Sequence, residues 1–158
     1  MKLQSSEFRH GEAIPVQFTG EGVDLSPPLT WTDVPANTRE FALICDDPDA
    51  PTPEPWVHWV IFSLPAELRG LPEGVATAAT LDDPPGAKQG SNTWTDGSTI
   101  GYRGPMPPPG HGVHHYYFRL YAVDCQINCQ AGSTKSEVLA QLEGHILSMA
   151  ELIGTYER

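Results

Sequence analysis

The fold of this chain is decided by one stretch of sequence, Phe41-Ala42-Leu43-Ile44-Cys45, together with the Asp46-Asp47-Pro48-Asp49-Ala50-Pro51 that follows it. The first five residues are apolar at every position, whereas a strand with one face in water alternates apolar and polar residues. Successive side chains of a strand point to opposite faces, so this segment has to be covered on both sides. We therefore predict a central strand that ends in an acidic, proline-containing turn.

Proline and glycine divide much of the remaining sequence into short extended segments. All 16 prolines and most of the 15 glycines stand in the first four fifths of the chain, which favours short strands over long helices. Runs rich in β-branched, aromatic or alternating residues predict further strands at Ile14 to Phe18, Leu29 to Trp31, Val57 to Leu64 and His115 to Val123. The polar segment from Pro65 to Ser98 is predicted as connecting structure that has room for one short strand.

The end of the chain has a different pattern. Ser133 or Thr134 can cap a helix. Apolar residues then recur at helical spacing, namely Val138, Leu139, Leu142, Ile146 and Met149. We expect one amphipathic helix that ends before Gly154 and closes the chain.

Composition excludes several classes of function. The chain has 158 residues, 39% of them hydrophobic, which is enough for one core, so we expect a single domain over residues 1–158. A formal net charge of -11 at pH 7 repels phosphate backbones and anionic lipid surfaces, which argues against nucleic acid as a partner. The sequence shows neither an apolar signal segment nor a run that could span a bilayer, so we expect a cytoplasmic protein without integral membrane association.

The chain holds three cysteines, Cys45, Cys125 and Cys129. Their number is odd, and the paired C-x-x-C motif of a zinc ribbon or a redox site is missing from the sequence. We expect reduced thiols. A second interpretation, in which Cys125 and Cys129 pair with each other or hold a metal ion, stays open but is less favoured.

Candidate functional residues stand at the ends of the predicted strands. Asp47 and Asp49 follow the central strand, and His58 lies near the start of the next strand. Strand alternation predicts that His58 shares a face with Trp56, Val60 and Phe62. In the last long strand, alternation places His114 and Tyr116 on the apolar side, together with Phe118, Leu120 and Ala122.

The two histidines at these strand ends need partners for their ring nitrogens, and Asp47 and Asp49 are the obvious candidates. Such carboxylates would hold the imidazoles of His58 and His114 in the charged form. The proline- and glycine-rich loop from Gly101 to Gly112 would supply a stiff wall. The sequence therefore predicts a phosphate-sized, partly positive pocket. His111 is assigned to no site, and His115 is assigned to the surface or to a subunit contact.

Three segments resemble the signature segments of the phosphatidylethanolamine-binding protein family in residue identity, order and spacing. They are Asp47-Pro48-Asp49-Ala50-Pro51, Trp56-x-His58, and Gly104-x-x-Pro107-Pro108-x-Gly110-x-Gly112-x-His114-x-Tyr116. The run from Pro107 to His115 resembles the bacterial branch, the Raf kinase inhibitor-like proteins. The resemblance implies a mostly β fold, a Greek-key β-sandwich of two antiparallel sheets with a C-terminal helix. It implies an anion pocket whose ligand-binding residues are Asp47, Asp49, Pro51, Trp56, His58, Gly104, Pro107, His114 and Tyr116.

The function expected from these observations is binding without turnover and without a cofactor. The ligand would be a phosphate-bearing small molecule or a phosphorylated group, and the resemblance implies modulation of a kinase or a protease. It also implies a homodimer, for which His115, Tyr117 and Tyr121 offer a contact surface.

Two alternatives remain. One is a hydrolase in which an Asp-His pair acts as general base, although the sequence has no G-x-S-x-G motif and no Ser or Cys placed beside a histidine. The other is a metal site formed by the two Asp and two His residues. It is less favoured because Trp56, Tyr116 and the glycine-rich wall are suited to enclosing a molecule.

Overall fold

The computed structural model describes residues 1–97 and 99–158. The elements along the chain are β1 (Lys2–Gln4), a 3-10 turn (Val16–Phe18), β2 (Leu29–Thr32), β3 (Glu40–Asp47), β4 (Trp56–Pro65), β5 (Gly70–Leu71), β6 (Lys88–Gln89), β7 (His114–Val123), α1 (Lys135–Leu142) and β8 (Ile146–Tyr156). They form two antiparallel sheets with strand orders β1-β2-β5 and β6-β4-β3-β7-β8. After the long connection from β4, strand β7 returns beside β3 in Greek-key fashion. The predicted fold class is confirmed.

Strand β3 is the centre of the larger sheet, as its apolar sequence predicts. Phe41, Leu43 and Cys45 contribute to the main core between the two sheets. Ala42 and Ile44 point to the other face, where they join a second core. Residues of α1 cover that face, so β3 is buried on both sides.

Helix α1 is shorter than predicted. Thr134 caps it through a reciprocal capping box with Glu137, and Val138 and Leu142 are its buried residues. The helix ends where Gly144 adopts a φ of +80° in the left-handed region that favours glycine. The prediction that the helix continues past Ile146 is wrong, because residues 146–156 instead form β8 along the whole of β7.

The predicted strand from Ile14 to Phe18 is also wrong. Residues Val16–Phe18 form a 3-10 turn after Pro15, which cannot donate a ladder hydrogen bond. Backbone hydrogen bonds hold this segment elsewhere: the N–H groups of Gly11 and Ile14 donate to carbonyls of β8, each at 2.8 Å. The segment from Pro65 to Ser98 contains two short strands, β5 and β6, and its last residue, Ser98, lies outside the described residues.

An irregularity in β4 breaks the alternation assumed from the sequence. The pairing with β3 runs from Cys45 opposite Trp59 directly to Asp46 opposite Val57, so His58 is the extra residue of a β-bulge. Trp59 therefore lies in the main core, whereas Val60 lies in the second core. The prediction that Val60 and Phe62 share the face of His58 is wrong, because a bulge reverses which residues face each side.

The three cysteines are free thiols, as predicted. Within the two described ranges, no helix is both long enough and apolar enough to cross a bilayer.

Candidate functional site

The candidate site lies where three neighbouring strands of the larger sheet meet at one edge. Strands β4 and β7 both run antiparallel to β3, so the end of β3 lies beside the starts of the other two. In register, Asp47 stands opposite Trp56, and Asp46 stands opposite Tyr117. A cleft of about 240 Å³ opens at this edge. Its walls are formed by Asp47, Ala50, Pro51, Thr52, Trp56, His58, Trp94, Met106, Pro107, Pro108, His114 and Tyr116.

Asp47 and His114 form a buried pair at the base of the cleft. Asp47 Oδ2 lies 2.7 Å from His114 Nδ1, and the side chains are 4% and 1% exposed. The other carboxylate oxygen, Oδ1, accepts the backbone N–H of Asp49 at 2.8 Å. Both carboxylate oxygens of Asp47 act as acceptors, so His114 Nδ1 donates to Asp47 and the orientation of the ring is fixed.

His111 extends this pair, although the sequence assigned it to no site. Its Nδ1 lies 2.7 Å from His114 Nε2. His111 is exposed and stands on the loop between Gly110 and Gly112, both of which have φ in the left-handed region. The spacing of three residues between His111 and His114 is the one sequence signal that could have suggested their contact.

His58 is buried and neutral. Its Nδ1 donates to the carbonyl oxygen of Arg103 at 2.6 Å. Burial lowers the pKa of His58 from 6.5 to about 4, against smaller opposing effects of the Arg103 carbonyl and Asp46. The predicted charged form of His58 is therefore wrong, and the neutral ring offers Nε2 as an acceptor.

Tyr116 closes the inner wall beside His58, with ring centroids 5.0 Å apart. The residue is 1% exposed, and its hydroxyl has no hydrogen-bond partner among the described residues. Burial, with Asp47 as the next cause, raises the pKa of Tyr116 far above the usual value, so the hydroxyl keeps its proton. A buried hydroxyl without a partner is uncommon in folded proteins and marks a place where a ligand atom can bind.

Two of the nine expected ligand-binding residues lie outside the cleft. Asp49 accepts from the backbone and the ring of His115, with its Oδ2 2.7 Å from His115 Nδ1. The backbone N–H of Gly104 donates to Asp24 Oδ1 at 2.6 Å. A Cβ at Gly104 would stand 2.2 Å from the Phe18 carbonyl oxygen, so glycine is needed there for close backbone packing.

Trp94 is an aromatic wall of the cleft that the sequence prediction missed. Its ring makes edge contacts with Trp56 at 5.4 Å and with His58 at 4.9 Å between centroids. Arg103 stacks over the Trp94 ring, with its guanidinium carbon 4.9 Å from the ring centroid. A tryptophan inside a polar connecting segment is the signal that could have found it, because such a residue rarely stands in a loop without a contact.

The four residues of the metal alternative do not form one ligand set. Asp49 is engaged by His115, and His58 donates to Arg103. In residues 1–97 and 99–158, no group of three His, Cys, Asp or Glu side chains is arranged to hold a metal ion. Burial raises the pKa of the nearby Cys45 thiol well above its usual value, so this cysteine is no nucleophile.

Comparison with known proteins gives the family. The model of the phosphatidylethanolamine-binding protein family matches residues 4–157. The chain belongs to the phosphatidylethanolamine-binding protein family. A "UPF0098 protein" of Methanothermobacter thermautotrophicus is 48% identical over 158 residues, which cover 100% of this chain and 99% of the relative. The family resemblance stated from the sequence is confirmed.

Two solved structures of bacterial family members resemble this one closely. A phosphatidylethanolamine-binding protein homologue of Chlamydia trachomatis superposes with a TM-score of 0.85 at 37% identity, covering 99% of this chain and 97% of that one. Escherichia coli YbcL, described as a member of the mammalian family, superposes with a TM-score of 0.86 at 34% identity, covering 99% and 98%. The fold and the arrangement of its strands are therefore those of the family.

Proposed function

We propose that the protein binds a phosphate-bearing small molecule or a phosphorylated group in this cleft, without turning it over. The observation that carries the proposal is the Tyr116 hydroxyl, which is buried at the inner wall and has no partner among the described residues. A buried polar group left unpaired costs about 1–3 kcal/mol. A ligand oxygen that accepts this O–H would remove that cost.

The other polar groups of the cleft suit a singly protonated phosphate. His58 Nε2 can accept from a P–OH or from an ammonium group, whereas the Tyr116 hydroxyl donates to a phosphate oxygen. Neither lysine nor arginine is among the residues that form the walls. Affinity then comes from directed hydrogen bonds and apolar contact rather than from a fixed positive charge. The cleft of about 240 Å³ fits a phosphoryl group with a small substituent rather than a whole lipid.

The hydrolase alternative has one supporting feature, the Asp47–His114 pair. A general base needs its outer nitrogen within hydrogen-bonding reach of the attacking water. His114 Nε2 instead contacts His111 Nδ1 at 2.7 Å. Among the described residues, the cleft wall also contains no serine or cysteine. We therefore favour binding over hydrolysis.

Isothermal titration calorimetry with matched ligands tests the proposal. Methyl phosphate and phosphoethanolamine are expected to bind, and methanol and ethanolamine are not. The variant Tyr116→Phe keeps the ring and removes the hydroxyl, so the affinity for both phosphates should fall about tenfold. The matched control is Tyr117→Phe, on the opposite face of β7, where the ring stacks with Arg119.

Absence of heat with every phosphate would refute the proposal. Release of methanol or ethanolamine in the same samples would favour the hydrolase instead. Regulation of a kinase or a protease stays a prediction of the family resemblance, since none of the described contacts bears on it.

The homodimer is likewise a proposal, supported by the outer edge of the larger sheet. Ile146, Leu147 and Met149 of β8 are 45%, 39% and 47% exposed. His115, one of the residues expected at the contact from the sequence, pairs with Asp49 within the chain. Sedimentation equilibrium should show a dimer that Met149→Lys weakens, and a monomer for the unaltered protein would refute it.

A further inference from the structure

We propose that the exposed ring of His111 takes up one proton from solvent when an anion binds in the cleft. His111 shares this proton with His114, and the proton sets the charge of the cleft. This inference rests on the proposed function, because it concerns how the same cleft admits a negatively charged group. It assigns a role to a residue outside the cleft wall.

A chain of contacts runs from the cleft to solvent. Asp47 accepts from His114 Nδ1 across 2.7 Å, and His114 Nε2 contacts His111 Nδ1 across another 2.7 Å. Asp47 and His114 are buried, whereas His111 is exposed. No described residue hydrogen-bonds to His111 Nε2. This nitrogen is the outer end of the chain.

This chain of contacts has room for one additional proton. Because His114 Nδ1 donates its hydrogen to Asp47, the contact between the two rings holds a single hydrogen. With both rings neutral, His111 Nδ1 donates and His114 Nε2 accepts. The pair can then gain one proton, at His111 Nε2, and keep its contact. A second proton would place two N–H groups head to head and separate the rings.

Other ionisable groups around the cleft are held in one protonation state or paired with a group of opposite charge. His58 is neutral through burial, and the Tyr116 hydroxyl keeps its proton. The ring of His115 is paired with the carboxylate of Asp49. Among the other charged neighbours, Arg158 pairs with Glu21 through its side chain and accepts the Gly110 N–H at 2.9 Å through its main-chain oxygen, and Arg103 pairs with Asp24 and Asp96. Within the described residues, the His111–His114 pair joins the buried Asp47 to a ring nitrogen that is open to solvent, so a proton taken up there changes the charge beside the cleft.

The direction of the pH effect follows from the charge. The protonated His111–His114 pair attracts an anion. Without a ligand, Asp47 compensates the positive charge of the pair. An anion therefore binds more tightly to the protonated pair, and its affinity falls as the pH rises. One linked proton changes the dissociation constant by up to about tenfold per pH unit above the titration of the pair.

Calorimetry with methyl phosphate from pH 5.5 to 8 tests this inference. The unaltered protein should lose affinity more steeply with rising pH than His111→Ala and His111→Gln, by up to about tenfold per pH unit. The titration of the phosphate itself affects all proteins equally, so the difference isolates the histidine proton. The control His115→Gln alters an exposed ring bound to Asp49 and should keep the steep dependence.

A second measurement does not depend on any ligand. Ring resonances of His111 and His114, followed by NMR against pH, should shift together with one common midpoint, and the midpoint of His114 should move in His111→Ala. Equal pH slopes in the unaltered protein and both His111 variants would overturn the inference and leave the binding function standing. If no phosphate bound to any protein, the binding function would fail, and an unchanged His114 titration in His111→Ala would overturn the inference as well.

Discussion

Two adjacent aspartates at the end of β3 have opposite surroundings. Asp46 and Asp47 are 1% and 3% exposed, and strand alternation sends them to opposite faces of the sheet. On the closed face, Asp46 pairs with Arg119 of β7 at 2.9 Å and with Lys135 of α1. On the cleft face, Asp47 is satisfied by the Asp49 backbone and by His114. On the closed face, the permanently charged Arg119 and Lys135 link β7 and α1 to β3 through Asp46. On the cleft face, Asp47 instead has a histidine as its side-chain partner.

The largest expected effect is on the closed face. Asp46→Ala leaves Arg119 and Lys135 without their shared carboxylate and should lower the free energy of unfolding by about 3 kcal/mol. Urea unfolding at pH 7 measures it. Glu151→Ala is the control, because it removes only the second, partly exposed partner of Arg119 and should cost about 0.5 kcal/mol. Equal losses in the two variants would mean that Asp46 does not anchor this face.

The second expected effect is a loss of stability at acid pH that is caused by His58, on the cleft face. Burial lowers the pKa of His58 to about 4, so between pH 6.5 and 4 the unfolded chain binds a proton that the folded chain does not. Stability therefore falls as the pH falls through this window, by about 3 kcal/mol in total from this residue. Urea unfolding at several pH values should show a flatter dependence for His58→Gln. His145→Gln, at an exposed ring, should behave like the unaltered protein, and a parallel curve for His58→Gln would contradict the prediction.

A smaller loss is expected from Asp47→Asn. An amide offers one acceptor oxygen, whereas Asp47 accepts from both the Asp49 N–H and the His114 ring. The free energy of unfolding should fall by about 2 kcal/mol, and the affinity for methyl phosphate should fall with it. Asp46→Ala should lose more stability than Asp47→Asn, but its folded fraction should bind methyl phosphate normally. Normal binding by Asp47→Asn would show that the orientation of His114 is not needed.

The smallest effect on stability is expected at Tyr116. Its hydroxyl has no partner to lose, so Tyr116→Phe should change the free energy of unfolding by less than about 0.5 kcal/mol or increase it. Tyr102→Phe is the matched contrast, since the buried Tyr102 hydroxyl donates to the Phe18 carbonyl at 2.7 Å. That variant should lose about 1–2 kcal/mol in thermal or urea unfolding. A loss of the same size at Tyr116 would reveal an internal partner for its hydroxyl.

The sequence predicted the fold class and four of the eight strands in the described residues, namely β2, β3, β4 and β7, but failed where a local signal competed with pairing. Apolar residues after Leu142 fit a helical spacing, yet Gly144 ends the helix and β7 offers a full-length partner to β8. Likewise, the bulge at His58 has no mark in the sequence, because a bulge depends on the register with β3. Alternation therefore placed His58 on the wrong face relative to Val60.

The candidate site could be predicted in part for the same reason. Seven of the nine expected residues form the cleft wall. Five of them stand at strand ends that an antiparallel sheet of this order brings together, namely Asp47, Trp56, His58, His114 and Tyr116, and the two prolines, Pro51 and Pro107, lie in the adjoining loops. Asp49 and Gly104 do not form the wall, because their hydrogen bonds to His115 and Asp24 depend on contacts between loops distant in sequence. Trp94 was missed because its segment has no periodicity.

The sequence by itself determined that the central strand is buried on both faces, which family the chain belongs to, and that polar residues cluster at strand ends. These follow from local residue patterns and from motif spacing. Only the tertiary structure decided the protonation states and the partners: that His58 is neutral, that Tyr116 has no internal partner, and that His111 contacts His114. The physical reason is that burial and hydrogen bonding are set by neighbours far apart along the chain, which local sequence does not specify.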